Sequence, residues 1–239
     1  MLLRLESVNV FYGPVQALHD VSIHVAAGEV VAVLGGNASG KSTTIKTALQ
    51  LVKPRDGHVL LDGEDLAAVS TPEVIARGVA SIPESRRLFP EMTVEENVLM
   101  GLYAQRRQLT RPQVRERLDE AIAQFPRVQE RLRQVAGTLS GGEQQMVAMA
   151  RALIQRPRII AIDEPSMGLS PAYVDIVYDL LFDWKARGTT MLIVEQSANR
   201  SLALSDRAYV LQNGAVVMQG ASADLARDPN IQSAYLGGL

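Results

Sequence analysis

Apolar positions along the chain cluster in short runs that recur at intervals with amphipathic stretches between them: Val30 to Leu34, Val59 to Leu61, Val79 to Ile82, Ile159 to Ile162, Met191 to Val194 and Ala208 to Leu211. Runs that are apolar on both faces suit strands buried in a largely parallel sheet with helices over it, and so predict an α/β core. The middle of the chain differs. From about Thr93 to Gln155 no strand pattern occurs, while Val94, Val98 and Leu102, then Met146, Ala150 and Leu153, fall at helical spacing. Pro90, Pro112, Pro126 and Pro157 punctuate this stretch, which reads as a helical insert in the α/β core. Trp184, Tyr178 and Leu181 read as core-facing helix positions. There is no internal repeat and no low-complexity tract.

Composition narrows the partners. The 239 residues carry 24 Lys plus Arg against 26 Asp plus Glu, a net charge of -2, so no basic field points to nucleic acid. No cysteine is present, which excludes disulfides, thiolate metal sites and a cysteine nucleophile and fits a reducing compartment. The apolar runs are far shorter than the roughly 20 residues needed to cross a bilayer. The N-terminus places Glu6 where a signal peptide would continue its apolar stretch, so the chain is expected to stay in the cytoplasm.

Three segments carry chemistry. The run Val30 to Leu34 leads into Gly35, Gly36, Asn37, Ala38, Ser39, Gly40, Lys41, Ser42 and Thr43, the phosphate-binding pattern G-x4-G-K-[ST] in its strand, loop, helix context. Loop N–H groups and the helix N-terminus face the phosphates, Lys41 adds a full charge, and the Ser42 hydroxyl is placed for Mg²⁺. The apolar run Ile159 to Ile162 ends in Asp163 and Glu164, two carboxylates at the C-terminal edge of a parallel sheet, where ligands bind. Asp163 is expected to hold the Mg²⁺ shell through water, and Glu164 to orient and deprotonate an attacking water. Leu139, Ser140, Gly141, Gly142, Glu143, Gln144 and Gln145 open a second helix whose N-terminus forms an anion cap, although Ser140 with Glu143 fits an ordinary capping box equally well.

These motifs, in this order, resemble the ABC ATPases, and the likeness runs from Tyr12 and Gly13 to Asn213 and Gly214. The resemblance implies a P-loop NTPase (RecA-like) core with N-terminal antiparallel β strands and a helical subdomain: a single nucleotide-binding domain over 1–239, with its core at 1–88 and 156–239 and the insert at about 89–155. It implies ATP and Mg²⁺ as cofactors, with Tyr12 stacked on adenine beside the small Ala17; strand packing is the alternative for Tyr12. In the family, the segment Ser140 to Gly142 reaches the γ-phosphate held by another nucleotide-binding domain. One phosphate loop and one such segment therefore imply two composite sites shared with a second ATPase subunit, identical or paralogous.

Three positions depart from the common pattern. Glu84 stands where a Gln is usual, Gln196 where the switch His is expected, and Ser170 at an Asp position. Glu84 can still approach Mg²⁺ or its waters, and the Gln196 amide can donate to a γ-phosphate but cannot carry a proton. Ala38 and Ser85 also replace usual glycines. Together with Arg86, Arg87, Leu88, Phe89, the Val194, Glu195, Gln196 run and the ending Ala234, Tyr235, Leu236, Gly237, these departures resemble the F-type ATPase subunit of branched-chain amino acid importers. That likeness implies a motor peripheral on the inner face of the cell membrane, working with transmembrane permease subunits and indirectly with an extracytoplasmic solute-binding protein. A groove around Glu84 to Tyr103, with Phe89, Pro90 and Met92, is implied to receive a permease helix. Urea or amide uptake, lipid export, a soluble ABC ATPase and a weakly hydrolysing regulatory nucleotide binder are the alternative readings.

Overall fold

The computed structural model describes residues 1–235, so Leu236 and Gly237 of the ending named above lie outside the described residues. Ten strands and ten α-helices follow one another in it. The strands are β1 (Leu3–Tyr12), β2 (Val15–Val25), β3 (Val30–Leu34), β4 (Asp56–Leu61), β5 (Glu64–Asp65), β6 (Val79–Ile82), β7 (Ile159–Asp163), β8 (Met191–Glu195), β9 (Arg207–Gln212) and β10 (Ala215–Ala221). The helices are α1 (Lys41–Ala48), α2 (Thr71–Ala76), α3 (Val94–Leu99), α4 (Arg111–Ile122), α5 (Pro126–Gln129), α6 (Gly141–Leu153), α7 (Pro171–Ala186), α8 (Ala198–Leu204), α9 (Ser222–Leu225) and α10 (Pro229–Tyr235).

Five of the apolar runs become the parallel strands of a six-stranded sheet ordered β10-β9-β3-β8-β7-β6, in which β3, β6, β7, β8 and β9 are parallel and β10 is antiparallel to β9. Successive side chains point to opposite faces of a strand, and here both faces are covered. Ile160, Ile162, Met191 and Ile193 join the core shared with α6, α7 and the middle helices, whereas Ile159, Ala161, Leu192 and Val194 join a second core between the two sheets.

The sixth run belongs elsewhere. Val59 to Leu61, grouped by sequence with the parallel strands, lies in β4 of a separate antiparallel sheet ordered β2-β1-β4-β5. Val59 and Leu61 are buried while Leu60 between them is half-buried and the start of β4 is exposed, the alternation of a strand with one solvated face.

The stretch from Thr93 to Gln155 is helical, and its one bridge is an isolated Thr93–Val135 pair. Val94, Val98 and Leu102 are fully buried with Met149 and Ala150 of α6. Trp184, Tyr178 and Leu181 are also buried, and the Trp184 indole N–H donates to Gln124 at 2.8 Å, which ties α7 to the α4–α5 junction.

Candidate functional site

The parallel register brings four loops to one edge. Leu34 pairs with Glu195, Asp163 with Val194 and Ile82 with Ile162, so the residues that follow β3, β6, β7 and β8 emerge side by side at the C-terminal edge of the sheet.

After β3 the chain curls around its own carbonyls. Lys41, buried at the start of α1, directs its ammonium to the carbonyls of Gly35 at 2.9 Å and Gly36 at 3.0 Å, and to the Glu164 carboxylate at 3.2 Å. Gly40 enters the helix at φ 105°, and a side chain there would meet Leu18. Ala38 sits at φ 60°, a left-handed conformation that costs a non-glycine residue about 1–2 kcal/mol. Ser39 buries its hydroxyl against Gly35.

The carboxylates stand opposite this loop. Ser42 Oγ donates to Asp163 Oδ1 at 3.1 Å. Burial pushes the Asp163 carboxyl above its ordinary range; the bond from Ser42 pulls it back, and the charges of Glu84 and Glu164 raise it further. Among the described residues no cluster of three or more His, Cys, Asp or Glu forms a metal centre. The Ser42–Asp163 pair nevertheless fits Mg²⁺, a hard cation that takes one or two protein oxygens and fills its shell with phosphate oxygens and water. Glu164 follows Asp163 at φ 45°, a strained backbone held by its N–H to the Val194 carbonyl at 2.9 Å.

A cleft of about 800 Å³ opens above these residues, lined among others by Lys41, Ser42, Thr43, Glu84, Glu164 and Gln196. Asn37, Ala38, Ser39 and Gly40 line it too, as does Ala17. Gly35, Gly36 and Asp163 are not among its lining residues. Tyr12 is exposed at the end of β1, where it pairs with Val15; the cleft lining takes in Val15 and Gln16 but not Tyr12. Sequence reasoning missed Asn213, Gly214 and His19. The Asn-Gly turn between β9 and β10 hydrogen-bonds to the phosphate loop, with Gly214 N–H to Ser39 O at 3.0 Å and His19 N–H to Gly214 O at 2.8 Å. An Asn-Gly pair between two apolar runs is a hairpin signal that marks this turn but not its contact with the loop.

The second helix N-terminus is not part of this cleft. Ser140 caps α6, accepting from Glu143 N–H while its own hydroxyl and N–H donate to the Glu143 carboxylate at 2.7 and 2.9 Å. Gly141 lies beside the Arg86 guanidinium, and Gly142 is covered by the Tyr173 ring, which a side chain at 142 would strike.

The model of the family described as ABC transporter matches residues 18–167. The chain belongs to the ABC transporter family. As an ABC ATPase it is an ATP hydrolase, and over 237 residues it is 40% identical to the high-affinity branched-chain amino acid transport ATP-binding protein BraG of Pseudomonas aeruginosa, covering 99% of this chain and all of that protein. It is also 35% identical to the lipopolysaccharide export system ATP-binding protein LptB of Acidithiobacillus ferridurans, across 99% of this chain and 97% of the relative. Among solved structures it resembles the dimeric post-hydrolysis state of the ATP-binding cassette MJ0796 bound to ADP and Pi, with a TM-score of 0.81, 27% identity, and coverage of 92% of this chain and 99% of that one. No helix among the described residues is long and apolar enough to cross a membrane.

Proposed function

We propose that this ABC ATPase powers the import of branched-chain amino acids from the inner face of the cell membrane, as one of two ATPase subunits bound to a permease that an extracytoplasmic solute-binding protein supplies. The whole chain acts as one nucleotide-binding domain, with core 1–88 and 156–239 and a helical subdomain at about 89–155. The observation that carries the dimer is the separation of Ser140 from the cleft: the phosphate loop and carboxylates form half a site, and the α6 N-terminus is left facing outward as the other half of a neighbour's. Similarity to a dimeric cassette supports the same arrangement.

In the proposed site the loop N–H groups of Gly35 to Thr43 and the Lys41 ammonium hold the ATP phosphates, Ala17 in the cleft wall flanks the base, and the ring of Tyr12, exposed outside the lining, closes onto the base once nucleotide is bound. Ser42 and Asp163, with Glu84 through water, hold Mg²⁺, which when bound neutralises charge on the phosphate oxygens. Glu164 takes the proton of a water attacking in line, Gln196 donates its amide to the γ-phosphate, and the partner's Ser140, Gly141 and Gly142 cap the developing charge. A phosphate arriving at the loop competes with Glu164 for the Lys41 ammonium, so binding frees the carboxylate for the water.

A groove of about 520 Å³ between core and helical stretch supports permease docking. It is mainly apolar and lined by Leu49, Leu51, Pro72, Phe89, Met100 and Tyr103. Phe89 and Tyr103 are exposed there, whereas Pro90 and Met92 from the sequence reading do not line it; the core side of the groove takes their place.

Full-length similarity to BraG favours branched-chain amino acid import, and similarity to LptB supports lipid export as a second reading. Uptake of labelled leucine, isoleucine and valine in cells lacking this chain separates them. Uptake is expected to fall and to be restored by the wild type but not by Lys41→Ala. Normal uptake with a defect in outer-membrane lipid would overturn import.

A further inference from the structure

Glu195 ends β8, an otherwise wholly apolar strand, and is buried at 3% exposure. An ionised carboxylate in such a place is costly unless its oxygens are filled. Four donors fill them, divided between two segments. Oε1 accepts from Ser166 Oγ at 2.5 Å and from Ser166 N–H at 3.3 Å, and Oε2 accepts from Gln196 N–H at 3.0 Å and Ser197 N–H at 3.3 Å. One oxygen therefore holds the turn that follows Glu164, and the other holds the turn that carries Gln196. Only an ionised carboxylate offers acceptors on both sides; an amide would turn its NH₂ toward one set of donors. Burial and the Glu195 charge together raise the Tyr178 hydroxyl of α7 above its usual range.

We infer that Glu195 is a positioning residue that clamps the Glu164 turn to the Gln196 turn, so that base and γ-phosphate donor move as one unit. The clamp explains how Glu164 keeps a left-handed backbone: its own N–H is fixed to β8 at Val194, and two residues on, Ser166 is fixed to β8 again at Glu195. Asp in place of Glu195 is one methylene short of spanning both turns. The inference rests on the roles proposed above for Glu164 and Gln196.

The test compares kcat, KM and the MgATP dissociation constant of Glu195→Gln, Ser166→Ala, their combination and Ser166→Thr, with Glu164→Gln as the reference. Each of the first two is expected to lower kcat about tenfold and to leave MgATP affinity within about twofold, because the phosphate loop is untouched. Their combination is expected to lose no more than the worse single variant, since both break one connection. Ser166→Thr, which keeps the hydroxyl, should retain most of the turnover. Hydrogen exchange at the Ser166, Gln196 and Ser197 amides should quicken together in Glu195→Gln. Wild-type kcat in Glu195→Gln, losses that multiply to about a hundredfold, or unchanged amide exchange would each overturn the clamp. Wild-type turnover in Glu164→Gln would instead overturn the site roles beneath it.

Discussion

Ala38 occupies a left-handed position in the phosphate loop where the family usually has glycine, and its methyl group is strained there. Ala38→Gly should raise stability by up to about 1 kcal/mol, read as a higher urea midpoint, because removed strain exceeds the added freedom of the unfolded chain. An unchanged or lower midpoint would contradict that balance. The sequence identified Ala38 as an oddity, and it also picked out Lys41, Ser42, Asp163 and Glu164, because each lies within a local pattern of strand, loop and helix. Glu195 stands in the sequence only as part of the Val194, Glu195, Gln196 run, with no local pattern that gives it a role. Two of its four donors lie on Ser166, 29 residues away, and two in its own following turn, and a chain pattern carries no sign of such convergence. The signal present was a lone acid closing a run of apolar residues, which is costly enough to call for a partner.

At the scale of elements, α6 depends on its capping box. The bonds from the Ser140 hydroxyl and N–H hold the Glu143 carboxyl below its ordinary range. A group whose folded value is depressed stabilises the fold above its unfolded value and loses that contribution as pH falls through the folded one. Glu143→Gln keeps an acceptor but loses the charge, so at about pH 7 it should unfold roughly 0.5–1 kcal/mol more easily than wild type. That gap should close as pH falls through the depressed value of the folded carboxyl, where the wild-type group is also neutral. Denaturation of both chains across this range checks it, and a gap that persists in acid would show that shape rather than charge matters. The strands were legible where both faces are apolar, as in β3, β7 and β8. Val59 to Leu61 misled because a three-residue apolar run cannot tell two buried faces from one; the polar start of β4 at Asp56, Gly57 and His58 shows the solvated face.

Across the whole molecule, parallel register places the nucleotide machinery on one edge while α6 carries Ser140 elsewhere, a division that sequence order alone does not express. The apolar groove proposed for permease docking shows the same limit, since Leu49, Leu51 and Pro72 reach it from the core, far in sequence from Phe89 and Tyr103. What would unite these parts is the proposed cycle, in which two chains close over ATP and hydrolysis parts them. The Glu164–Lys41 pair makes the expected consequence specific: Glu164→Gln would remove both the proposed base and the competitor for the ammonium, so ATP affinity should be kept or increased while turnover stops. The most direct measurement is gel filtration of wild type and Glu164→Gln with MgATP beside their steady-state ATPase rates. The variant is expected to elute as a stable dimer with its turnover lost, while the wild type hydrolyses ATP and returns to monomer. A variant that hydrolyses at the wild-type rate, or one that binds ATP and remains monomeric, would contradict the proposed cycle.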